Sequence, residues 1–84
     1  MSYEKVKQVK SQTIIGLKQT LKAMKNGQIS EVYIAGDADR YITREVEELA
    51  KTLDIPCLRV DSKKKLGAAC GIDVGASTVA IKKW

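Results

Sequence analysis

Among the 84 residues, the segment Gly16-Leu17-Lys18-Gln19-Thr20-Leu21-Lys22 offers the most specific chemistry. At about 100° per residue, a helix here places Lys18, Lys22 and Lys25 in one narrow arc, with Gln19 at its edge. The apolar Leu17, Leu21 and Met24 fall about a third of a turn away, so one face is buried and its neighbour is basic. Gly16 lets the backbone approach a partner closely, at a point where unsatisfied N–H groups and the helix dipole favour an anion. The chemistry on offer is recognition of a polyanion. The same pattern also describes an ordinary amphipathic helix with a lysine-rich wet side.

Two further segments add to this reading. Ser62 can cap a helix that opens on Lys63-Lys64-Lys65, although cations in a first turn cost up to about 1 kcal/mol against the macrodipole. A bound anion reverses the sign of that effect; screened, exposed lysines explain it equally. The stretch Ile72-Asp73-Val74-Gly75-Ala76 has no periodicity and reads as a loop. Its two apolar side chains either press on a flat, unstacked nucleobase or cap the core.

Catalytic chemistry has little to work with. Histidine is absent, so Ser11, Ser62, Ser77, Cys57 and Cys70 lack the usual base, and no Gly-x-x-x-x-Gly-Lys-Ser/Thr phosphate loop occurs. Asp37 and Asp39 form a carboxylate pair at a strand end, where open α/β sheets often bind ligands. A turn and an N-cap by Asp39 explain both without chemistry. Cys57 and Cys70 belong to no Cys-x-x-Cys pair, which argues against zinc and leaves two small buried thiols as the expectation, with a disulfide permitted by the spacing. No cofactor or metal is expected, and the chain is expected not to be an enzyme. Gly67 and Gly71, four apart, signal close helix packing or a cap.

Length allows one domain, residues 1–84, with one modest core. Charge is distributed unevenly along it. Residues 1–28 carry six lysines against Glu4 (+5), residues 29–61 carry four cations against eight carboxylates (−4), and residues 62–84 carry five lysines against Asp73 (+4). If the fold joins the two ends, one positive face with an acidic back results, which favours a polyanion partner. The acidic middle suggests an alternative, a protein–protein module that docks a basic partner. No apolar run is long enough for a membrane span, and the first residues lack the pattern of a secretory signal, so a cytoplasmic protein without membrane contact is expected. Nothing demands a dimer, and a monomer is expected.

The elements that must position these residues alternate along the chain. A short helix carries Val6 and Val9, a brief extended piece spans Thr13-Ile14-Ile15, and the Gly16 helix runs to a stop at Asn26-Gly27. Glu31 to Ala35 reads as a strand ending in the turn cluster Gly36-Asp37-Ala38-Asp39. Ile42, Val46, Leu49, Ala50 and Leu53 then form one apolar helical stripe. Pro56 opens a strand over Cys57–Val60, a helix runs from Lys63 to about Cys70 with Leu66, Ala69 and Cys70 inward, Gly71 ends it, and Thr78–Ile81 is a last strand. The order predicts an α/β fold, a three-layer α/β/α sandwich around a small mixed sheet. Tyr3, Tyr33, Tyr41 and Trp84 are too few for a fold that stacks bases on an aromatic sheet, which points to a reader of folded RNA shape.

Taken in order and separation, Gly16–Lys22 and Leu66-Gly67-Ala68-Ala69-Cys70-Gly71-Ile72-Asp73-Val74-Gly75-Ala76, with Val32–Asp39 and Ile55-Pro56 between them, resemble the kink-turn-binding ribosomal protein superfamily. The short bacterial YbxF-type members are the most similar pattern. The resemblance implies a protein that stabilises kink-turn RNA, with the ribosome as a further expected partner. It implies that the second helix docks on sheared G·A pairs beside a bent internal loop, through Gly16, Lys18, Gln19, Thr20 and Lys22. It also implies that Ile72, Asp73, Val74, Gly75 and Ala76 cover an extruded nucleotide of the bulge. Phosphate contacts by Lys63 and Lys64 are inferred more from charge than from the match. Archaeal relatives carry Asn-Glu where this chain has Lys18-Gln19, a replacement of an acceptor-only carboxylate that alters the base contacts.

Overall fold

β-Branched and aliphatic side chains alternate in and out along four short segments, and these pair into a single sheet of order β1-β4-β2-β3. The computed structural model describes residues 3–83, with the Lys10 side chain undescribed; Trp84, to which the sequence assigns no role, lies outside the described residues. The elements run α1 (Tyr3–Gln8), a 3-10 turn (Lys10–Gln12), β1 (Thr13–Ile15), α2 (Leu17–Lys25), β2 (Ile29–Ala35), α3 (Arg40–Thr52), β3 (Cys57–Val60), α4 (Lys63–Ala69) and β4 (Thr78–Lys82). β2 and β3 are parallel, while β4 runs antiparallel to both β1 and β2. The sheet is therefore mixed, as the alternation of elements implied.

Each face of the sheet is covered by one pair of helices. Val6 of α1 and Leu66, Ala69 and Cys70 of α4 meet Tyr33, Ala35, Val60, Val79 and Ile81 on one side. Ala23 and Met24 of α2 and Val46 and Ala50 of α3 meet Ile29, Val32, Ile34 and Ala80 on the other. The three-layer sandwich is the fold, and strand alternation decides which side each residue serves.

Three boundary details depart from the sequence reading. β2 begins at Ile29, two residues before Glu31, because Ile29 pairs with Lys82 across an irregularity that the alternation alone does not reveal. Leu53 does not join the α3 stripe: it is the C-cap, 41% exposed, and the chain reverses there through Asp54 at φ 59°. Cys57 is exposed rather than buried, and both thiols are free. Cys57 lies beside Glu47 and Lys51 of α3, whereas Cys70 packs in the α1–α4 core, so the sheet separates them and a disulfide is ruled out by geometry.

Beyond this apolar packing, one polar side chain ties α1 to the opening of α4. The Tyr3 hydroxyl donates to the Asp61 carboxylate and accepts from the Ser62 amide at 3.1 Å. That hydroxyl, assisted by Lys65, holds the Asp61 carboxyl below its ordinary 3.8. The stability this adds is fully present above the ordinary 3.8 and is lost as pH falls through the depressed folded value. Tyr3→Phe should lower the urea midpoint at neutral pH, with the gap to wild type narrowing in acid. A gap that stays constant with pH would remove Asp61 from this account.

Candidate nucleic-acid interface

Four connections meet at one end of the sheet, and backbone hydrogen bonds tie them into a single rim. The Gly16 amide donates to the Thr78 carbonyl at 3.2 Å, the Ala35 amide to Ser77 at 3.0 Å, and the Gly36 amide to Val60 at 2.7 Å. The Lys63 amide donates to Asp37 Oδ1 at 2.8 Å, and the Ala76 amide to the Lys63 carbonyl at 2.9 Å. The amino end of α2 thus sits beside the start of β4 and the 72–77 loop that feeds it, and the first turn of α4 closes the same rim.

Gly16 is required where it stands. Its φ of 107° is left-handed territory, and a Cβ there would come within 2.8 Å of Gln19 Oε1. The bend sends α2 back across the sheet with Thr20, Ala23 and Met24 inward and Lys18, Gln19 and Lys22 outward and exposed. Lys18 and Lys22 have no ion pair among the described residues. Lys25 belongs to the same arc but shares a groove with Glu45 and Glu48 of α3, so the positive field is concentrated toward Gln19 and Lys22 on the opposite flank.

Thr20 does not take part in that outer face. Its side chain is completely buried against the sheet, and its hydroxyl, like that of Thr78, has no hydrogen-bond partner among the described residues. The Thr20 side chain thus packs α2 on the sheet.

The 72–76 loop divides between the two readings the sequence left open. Ile72 is half-buried and packs on the α1–α4 core, Ala76 is buried, and Asp73 and Gly75 are exposed. Val74 is 69% exposed, one of three exposed large apolar side chains among the described residues. The loop rests directly on α4: a Cβ at Gly67 would lie 2.1 Å from the Val74 carbonyl oxygen, and one at Gly75 would lie 3.2 Å from Lys63 Cγ. An exposed valine is thus held on a loop that has no room to settle further. Ala76, expected to touch a nucleotide, is buried and anchors the loop through its amide bond to the Lys63 carbonyl.

Lys63 and Lys64 are exposed beside this loop. Their location near the helix start is, however, electrostatically compensated. Ser62 Oγ accepts from the Lys65 amide, Asp37 accepts from the Lys63 amide, and Asp61 pairs with Lys65 at 3.8 Å. These carboxylates offset the dipole penalty, so the penalty no longer argues for a bound anion and only the exposed charge does. Asp37 therefore has a structural task. Asp39 is the N-cap residue of α3 yet makes no side-chain capping bond. The contact between Asp37 and Lys63 spans 26 positions, a separation at which no local pattern signals a partner.

The acidic helix is largely neutralised by its own neighbours. Glu47 pairs with Arg59 at 2.9 Å and Glu48 with Arg44 at 3.1 Å. The hollow on the outer side of α3, about 840 Å³, mixes Arg40, Arg44 and Lys51 with those same carboxylates. It presents no uniform field to a basic partner, so the protein-docking alternative gains no support. Among the described residues no group of three or more His, Cys, Asp or Glu side chains is arranged to hold a metal ion, and no helix is long and apolar enough to cross a membrane.

One chemical feature was missed from sequence. Lys82 follows Thr78 and Ala80 on the α2 side of β4 and lines a groove with Gln19, Lys22, Asn26 and Gln28. Alternation along the last strand is the signal that would have found it.

Fold and site together define a small α/β/α sandwich with a basic helix and a glycine-seated apolar loop on one rim. The chain belongs to the ribosomal protein L7Ae/L30e/S12e/Gadd45 family, whose model matches residues 1–84. It is similar to an RNA-binding protein of Halalkalibacterium halodurans, 55% identical over 99% of this chain and 100% of that one. RNA-binding protein YbxF of Geobacillus stearothermophilus is 51% identical over 96% of this chain and 98% of its own length. A 15.5kD RNA binding protein of Giardia lamblia superposes with a TM-score of 0.92 at 28% identity, covering 98% of this chain and 71% of that one.

Proposed function

We propose that this chain is an RNA-binding protein that recognises kink-turn RNA and stabilises its bent form. The observation that carries the reading is the Gly16–Thr78 hydrogen bond, which sets the amino end of the basic α2 face against the loop bearing Val74. Family membership and the RNA-binding names of its relatives support the same reading.

In this mechanism α2 enters the widened groove at the sheared G·A pairs. Lys18 and Lys22 donate to guanine O6 and N7, and Gln19 donates or accepts according to the edge it meets. Gln19 replaces a carboxylate that can only accept, so it tolerates a neighbouring acceptor that a Glu would repel. Val74 covers the extruded nucleotide with apolar contact, and Lys63 and Lys64 approach the phosphates. Because only the bent conformer meets both α2 and the loop, binding shifts a flexible RNA into that conformer. A monomer suffices, and the ribosome is one place such an RNA occurs.

Lys22→Ala should weaken kink-turn binding by roughly 1–3 kcal/mol, whereas Lys25→Ala, on the α3 flank, should cost far less. Calorimetric titration of both variants at one salt concentration separates a specific contact from general loss of charge. Equal effects at the two positions would remove Lys22 from base recognition.

A further inference from the structure

The groove between α2 and the β1 edge of the sheet shares Gln19 and Lys22 with the contacts described above, while Asn26, Gln28 and Lys82 take no part in them. It is about 510 Å³ and is lined by Ile14, Gln19, Lys22, Asn26, Gln28 and Lys82, with Ala23 at its floor. No carboxylate lines it. The register explains how it forms: Lys82 pairs with Ile29 at the far end of β4, one residue past the Thr13–Ile81 pair, on the same side of the sheet as Ala80 and Ile14. Gln19, Lys22, Ala23 and Asn26 follow helical spacing along the facing side of α2. The Gln28 carbonyl accepts from the Lys83 amide at 2.9 Å, which holds the α2–β2 turn against the end of β4.

We infer that this groove binds the sugar–phosphate backbone of the RNA stem that continues from the G·A pairs, with Lys82 as a phosphate-contacting residue. The inference rests on the kink-turn reading and extends it to a second segment of RNA. The direction follows from the helix. The amino end of α2 lies by the 72–76 loop and the bulge, so the carboxy end, with Asn26, points away from the bulge and along the G·A stem. Gln19 and Lys22 belong to both surfaces, which makes the groove continuous with the proposed interface. From residue 19 to residue 26 the helix advances about 10 Å at 1.5 Å per residue, enough to follow several successive phosphates of one strand. Its lining suits a backbone more than bases, because cations and amides meet phosphate and sugar oxygens whatever the sequence. Lys82 is half-buried and has no ion pair among the described residues, so its charge is not neutralised by a carboxylate of this chain.

The test uses two kink-turn RNAs, one with a long G·A-side stem and one with that stem cut to the G·A pairs and a minimal closing pair. Lys82→Gln keeps the aliphatic length and removes the charge; Lys82→Arg keeps the charge. For the long RNA, Lys82→Gln should weaken binding roughly two- to fivefold and lower the salt slope of log K by about 0.7 to 0.9. For the cut RNA it should change neither, and Lys82→Arg should behave as wild type with both. Unfolding midpoints equal to wild type confirm that the variants fold. If wild type binds both RNAs tightly and Lys82→Gln is indifferent to stem length, the groove assignment fails while the kink-turn reading stands. If wild type binds neither RNA, both fail together.

Discussion

Gly67→Ala is expected to destabilise this protein by roughly 3 kcal/mol, the upper end of the cost of overpacking a well-filled site. Helix propensity alone predicts the opposite sign, since alanine in a helix interior is favoured over glycine by about 1 kcal/mol. The collision decides. The new methyl would stand 2.1 Å from the Val74 carbonyl oxygen, 3.1 Å from its carbon and 3.2 Å from the Ala76 nitrogen. All three are backbone atoms, so no side-chain rotamer relieves the contact. Either α4 tilts off Leu66 and Ala69, which are buried in the core, or the 72–76 loop lifts. In the second case the Ile72 amide loses its bond to the Gly67 carbonyl and the Ala76 amide its bond to Lys63, and Val74 is no longer held in place. Urea unfolding measures the first consequence and RNA titration the second. A variant as stable as wild type, with unchanged RNA affinity, would show that the loop does not depend on its seat against α4.

How much of this was legible in the sequence depended on the range of each interaction. Periodicity placed α2 and α3 because their core-facing positions repeat within a few residues, and Ser62 was readable as a cap because its partner, the Lys65 amide, is three residues on. The layer order followed from alternation. The roles of Asp37 and Gly67 were not legible, since each is defined by a segment brought near only by the fold. For Asp37 that segment is the α4 amide, and for Gly67 it is the returning loop. Sequence also could not separate the members of a motif by depth. Gly16–Lys22 reads as one unit, yet Thr20 is buried while Lys18 and Gln19 before it and Lys22 after it face outward. In 72–76, likewise, Val74 stands out while Ile72 and Ala76 turn in. Cys57 misled because cysteine is so often buried, whereas β3 is an edge strand whose α3-side positions stay open at that margin.

Shape-selective binding is the claim on which the functional account depends. Net charge of +5 gives any RNA some affinity, so binding alone does not establish it. In the proposed mechanism the G·A pairs are the feature that Lys18, Gln19 and Lys22 meet, and they also permit the bend that lets Val74 reach the bulge. Replacing them with Watson–Crick pairs removes both contributions together while leaving length and phosphate number unchanged. At roughly 1–3 kcal/mol for each altered pair, two pairs amount to a loss of about 30-fold or more. The decisive measurement is a titration of wild-type protein against one kink-turn RNA and its Watson–Crick counterpart at the same salt concentration. The account predicts tight binding to the first and only weak, strongly salt-dependent binding to the second; equal affinity for the two would contradict it.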